Sequence, residues 1–150
     1  MNRKKILIAI DGSPAADAAV DAGLELAMEL GAPVRFVHAS SPLAEHLFEL
    51  EPEEGPSEKQ ILATDGILAE ASRRAADRGV ASEVELIANG RPAGDLAATI
   101  AGIAAGIDAG MIVVGSRGLG TVAGTVLGSV SQNLIRYAAQ PVLVVHAPAA

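Results

Sequence analysis

Ile6-Leu7-Ile8-Ala9-Ile10-Asp11-Gly12-Ser13-Pro14 sets the pattern on which the whole chain is read. The continuous apolar run over residues 6–10 reads as a buried strand. It ends in a turn signal, Asp11-Gly12-Ser13, where Ser13 suits a helix N-cap and Pro14 the first helical position. Val20, Leu24, Ala27 and Leu30 then recur at helical spacing, and Gly31 stops the helix.

Working outward, the same alternation continues. A second strand is expected over residues 33–39. Residues 40–56 carry Glu45, Glu49, Glu51, Glu53 and Glu54 with Pro42, Pro52 and Pro56, and read as a long acidic loop, the candidate responsive element. A capping box over Ser57 to Gln60 opens a helix with the stripe Ile61, Thr64, Leu68, Ala71 and Ala75, ended by Gly79. Residues 81–88 read as the third strand. Pro92 opens a third helix with the stripe Leu96, Ile100, Ile103 and Ile107; Gly102 and Gly106 each weaken it by about 1 kcal/mol relative to Ala. Residues 111–114 form the fourth strand, a helix runs over residues 128–137, and residues 141–146 form the fifth strand. Five strands alternating with helices predict a single α/β domain, residues 1–150, with a doubly wound parallel sheet and helices on both faces. Ligands of such sheets lie beyond the carboxyl ends of the strands, where the winding reverses. Polar, glycine-bearing turns follow the first and fourth strands, which makes these two the candidates flanking the crevice. Spacing alone leaves the strand order open.

Composition narrows the function. Hydrophobic residues make up 50% of the chain but aromatics only 2%, so the core is built from Ala, Val, Ile and Leu. No apolar run approaches the roughly 20 residues that span a bilayer, and residues 1–5 do not read as a secretion signal. There is no cysteine, hence no disulfide or thiolate site, which fits a cytoplasmic protein. A net charge of −7, with no basic cluster beyond Arg3-Lys4-Lys5, argues against nucleic acid as a partner. A polyanionic ligand must then be held by local donors and a metal ion.

Such donors are offered by Gly115-Ser116-Arg117-Gly118-Leu119-Gly120 and, after an Ala/Gly-rich stretch, Gly128-Ser129-Val130-Ser131. Glycines let the backbone approach a phosphate, and a helix starting near Gly128 adds unpaired N–H groups and the Ser129 and Ser131 hydroxyls. The segment lacks the lysine of a P-loop. From the residues alone, both a phosphate cradle and a ligand-free connector remain open.

The spacing of Gly115, Gly118 and Gly128-Ser129 resembles the nucleotide signature of the universal stress protein family. The resemblance extends to Ile10-Asp11-Gly12-Ser13, to Leu127-Gly128-Ser129-Val130-Ser131 and to the closing Pro141-Val142-Leu143-Val144-Val145. It implies a Rossmann-like sheet in the order 3-2-1-4-5 and binding of ATP with Mg²⁺. By that similarity Ala9, Ile10 and Ala39 border the adenine, with Val114 beneath it. Asp11 lies near the ribose and phosphates or ligates the metal ion. Gly115, Arg117, Gly118, Gly128, Ser129, Val130 and Ser131 hold the ribose and phosphate chain. The resemblance also implies a homodimer through the C-terminal strand, an apolar sheet edge. One departure is Gly110 after Ala109, where the family commonly has an acidic residue.

Taken singly, Asp11 suits a metal or ribose ligand or a helix cap, and Arg117 a phosphate contact or a solvated side chain. His38, His46 and His146 have no metal-ligand spacing. Ser116 and Ser129 lack arranged His and acid partners, so no catalytic residue and no enzyme activity is expected. The expectation is a nucleotide-binding regulatory module of the stress response. A slow ATPase or phosphotransferase and an interaction domain with an empty crevice are the alternatives.

Overall fold

The computed structural model describes residues 3–40, 45–50, 53–88, 93–117 and 127–148. Five strands, β1 (Ile6–Ala9), β2 (Val34–Ala39), β3 (Ser82–Ile87), β4 (Met111–Gly115) and β5 (Val142–Val145), form a parallel sheet in the order β3-β2-β1-β4-β5. The chain winds from β1 outward to β3, then returns to place β4 on the other side of β1. Winding therefore reverses between β1 and β4, where Ala9 stands opposite Val114. The doubly wound order expected from the resemblance is present.

Two apolar layers cover the sheet. Ile6, Ile8, Val34, Phe36 and Val113 pack with α1 (Pro14–Leu30), α3 (Glu58–Thr64) and α4 (Gly66–Asp77) on one face. Leu7, Ala9, Val37, Ile112 and Val114 pack with α5 (Ala93–Gly106) and α6 (Ser129–Tyr137) on the other. The central strand β1 is buried throughout, as its unbroken apolar sequence requires. The first helix starts as read: Ser13 Oγ accepts from Ala16 N–H at 3.1 Å and Pro14 occupies the first turn. It ends at Gly31, whose φ of 65° is left-handed.

Some expectations are corrected. The acidic stretch is not all loop: Leu47–Leu50 forms a short helix, α2, because Leu47 reaches the core. Residues 41–44 and 51–52 of that stretch lie outside the described residues. The helix opened by the Ser57 capping box is two helices, broken at Asp65, whose backbone is extended (φ −99°, ψ 104°). Thr64 is exposed and Asp65 buried, the reverse of the expected stripe. Leu30, the last residue of α1 before its Gly31 cap, is 46% exposed rather than core. In α5 the buried line is Ala97, Ile100 and Ala104, with Leu96, Ile103 and Ile107 half-buried beside it. Pro92 lies outside the described residues.

Candidate functional site

The turns after β1 and β4 meet at the carboxyl edge of the sheet. In the first, Asp11 Oδ1 accepts from Ser13 N–H at 2.9 Å, and Gly12 has φ 82°, a conformation that glycine adopts without strain. In the second, Ser116 N–H continues the sheet by donating to Val145 C=O at 2.8 Å. Ser13 Oγ reaches across to the Arg117 carbonyl at 3.3 Å, joining the two turns. The Ser116 carbonyl accepts from Gly128 N–H at 2.6 Å, so both ends of the glycine-rich segment converge on residue 116. Gly118 and the rest of residues 118–126 lie outside the described residues.

The helix that follows has an unusual start. Ser13, Ser57 and Asp65 each cap a helix with a side-chain oxygen, on α1, α3 and α4. At α6 the N-cap is Gly128, without a side-chain hydrogen bond, and the first turn contains no acidic residue. The unpaired N–H groups and positive dipole end of α6 are thus not neutralised by a capping side chain. Arg136 lies in its last turn, the favourable end for a cation.

Each candidate residue has a definite place. Ala9, Ile10 and Val114 are buried, with Ala9 and Val114 paired in register near the carboxyl ends of their strands. Asp11 and Ala39 are half-buried at the ends of their strands, while Arg117 and Ser129 are exposed. Gly128 is buried and Val130 half-buried at the start of α6. Ser131 is 2% exposed, and its hydroxyl lies 3.0 Å from the carbonyl oxygens of both Ser116 and Gly128. Gly115 has a packing role: a Cβ there would sit 2.7 Å from the carbonyl carbon of Ala15 and 2.8 Å from the nitrogen of Ala16. Among the described residues no group of three or more His, Cys, Asp or Glu side chains could hold a metal ion. Asp11 fits a magnesium ion only in the manner of one protein carboxylate completed by phosphate oxygens and water.

Sequence reading missed a pair beside the site. His38 Nδ1 lies 2.7 Å from Asp65 Oδ2, with side chains 11% and 3% exposed. The other Asp65 oxygen caps α4 through Leu68 N–H at 2.9 Å. The break in the helix is therefore where a buried carboxylate finds partners on two elements. A second group of charges ties α1 to α4: Arg74 pairs with Asp17 and Asp21, and Arg78 with Asp21. Partial burial pushes the Asp21 carboxyl up, but hydrogen bonds to Arg74 and Arg78 and their charges overcome this and hold it below the ordinary aspartate range. Two clefts lie away from these turns, one of about 600 Å³ beside Met28 and Arg78 and one of about 460 Å³ beside Glu54 and β3.

Comparison with known proteins agrees with this geometry. A universal stress protein of Thermus aquaticus is 38% identical over 143 residues, covering 95% of this chain and 98% of its own. Universal stress protein YxiE of Bacillus subtilis is 34% identical, with the same coverage of 95% and 98%. A universal stress protein solved in complex with cAMP superposes with a TM-score of 0.67 at 28% identity, over 99% of this chain and 100% of that one. The profile of the universal stress protein family matches residues 2–146. With the 3-2-1-4-5 sheet and the paired turns at its reversal point already in place, the chain belongs to the universal stress protein family.

Proposed function

We propose that the crevice between the Asp11–Ser13 turn and the Gly115–Arg117 turn holds an adenine nucleotide, ATP with Mg²⁺, as the ligand of a regulatory binding module in a stress response. The carrying observation is the start of α6, with a glycine N-cap, no side-chain cap and no carboxylate in its first turn. That end donates N–H groups toward an anion, while Arg117 stands exposed beside it. The adenine rests near Ala9, Ile10 and Ala39, with Val114 beneath. The phosphates follow Gly115, Arg117, Gly118 and the Gly128-Ser129-Val130-Ser131 turn. Asp11 holds the metal ion or the ribose. Support for an adenine ligand comes from the family relative solved with cAMP.

Binding rather than turnover is the proposed activity, exerted by a homodimer joined along β5 in the cytoplasm. The test is mass analysis of nucleotide released from purified, undialysed protein, with calorimetry using ATP and Mg²⁺. ATP in the released fraction and saturable heat are expected. No heat at millimolar ATP overturns the reading, and phosphate release that depends on Asp11 overturns its non-enzymatic part.

A further inference from the structure

Two serines lie close to the proposed ligand, yet their hydroxyls face the protein. Ser131 belongs to the first turn of α6 on one face of the sheet, and Ser13 caps α1 on the other. Each is 2% exposed. They reach consecutive carbonyls of one turn: Ser131 Oγ lies 3.0 Å from Ser116 O, and Ser13 Oγ lies 3.3 Å from Arg117 O. A buried hydroxyl costs desolvation unless it is hydrogen-bonded, and both are: Ser131 Oγ to carbonyls alone, and Ser13 Oγ to the Arg117 carbonyl while it also accepts from Ala16 N–H as the α1 cap.

We infer that Ser131 and Ser13 are positioning residues that set the orientation of the peptide units after β4, and so which main-chain groups that turn presents to an anion. The described chain has no cis peptide bond. In a planar trans peptide the C=O and the following N–H point in opposite directions. Drawing the Ser116 carbonyl toward Gly128 N–H, at 2.6 Å, and toward the Ser131 hydroxyl turns Arg117 N–H to the side away from α6. A flipped peptide would offer a carbonyl oxygen on that side and repel a phosphate. The two hydroxyls thus act through the backbone, their hydrogen bonds going to main-chain carbonyls. The consequence for affinity rests on the nucleotide proposal; the bracing itself does not.

A purely local role for Ser131 is the alternative, since its hydroxyl is equally near the Gly128 carbonyl, at 3.0 Å, as serines in helices often are. Ser131→Ala separates the two and suits a helix. In nucleotide-free protein, hydrogen exchange at the Gly128 amide is expected to quicken about tenfold relative to the rest of α6, because its acceptor is no longer held. Unchanged exchange overturns the brace. By calorimetry, ATP affinity is expected to fall about tenfold while adenosine affinity holds, since only the phosphate-facing amides are disturbed. Equal losses for the two ligands, or none, overturn the aiming role. If the unsubstituted protein binds neither ligand, the nucleotide proposal fails, and the exchange measurement alone decides the brace.

Discussion

Gly115 is a residue for which the sequence offers one explanation and the fold another. In the sequence it begins a glycine pattern, and a close phosphate approach accounts for it. In the fold its missing side chain is the space that the start of α1 occupies, with the Ala15 carbonyl carbon 2.7 Å from where a Cβ would stand. The contact is with backbone, which cannot swing aside as the end of a long side chain can. Gly115→Ala is therefore expected to cost about 1–3 kcal/mol of stability even without nucleotide, read as a lower urea midpoint. An unchanged midpoint would refute the packing role. No local pattern announces this contact, because it depends on where α1 crosses the end of β4. His38 is similar. Spacing marks it as ordinary, and only tertiary folding brings Asp65 to within 2.7 Å.

At the scale of elements, the second crossover shows where periodicity misleads. Ile61, Leu68, Ala71 and Ala75 are all buried at helical spacing, so the pattern reads straight through Asp65. The break is visible only once Asp65 is seen to cap α4 and meet His38. Helix α4 is then tied to α1 by Arg74 and Arg78 on Asp21. The Asp21 carboxyl is depressed on folding, so its contribution is present above the unfolded value of about 3.9 and lost as pH falls through the lower folded one. Asp21 is 53% exposed, and solvent screening keeps the pair modest. Asp21→Asn is expected to cost about 0.2–1 kcal/mol at neutral pH. That deficit should shrink below about pH 4 when urea unfolding is followed across the acid range. A deficit independent of pH would show that packing, not charge, is lost.

For the whole molecule, the two edges of the sheet differ in kind. Along β3, Glu83 and Glu85 pair with Arg35, and Lys5 also reaches Glu83, so charge lines that edge. Along β5 all four residues, Val142 to Val145, are aliphatic and half-buried. Ile112 N–H donates to Pro141 C=O and Ser116 N–H to Val145 C=O, which leaves the N–H and C=O of Val142 and Val144 directed away from β4. The proposed homodimer uses these outward groups. Val144→Pro removes one outward N–H without removing a bond to β4, a substitution an edge strand tolerates. Sedimentation should then report monomers where the unsubstituted chain is dimeric, with thermal unfolding confirming that the variant is folded. A variant that still dimerises would place the interface elsewhere.

The sequence by itself determined the five strands in their order along the chain, the helices α1, α5 and α6 between them, the caps at Ser13 and Ser57 and the two glycine-bearing turns, because each depends on neighbours a few residues apart. Its glycine spacing also pointed to the family. Tertiary structure alone decided that Ser13 and Ser131 grip successive carbonyls, that Gly115 yields its space to α1, and that Asp65 ends one helix to meet His38. These contacts join residues far apart in the chain, and only the stacking of both helix layers on the sheet brings them within hydrogen-bonding or van der Waals reach.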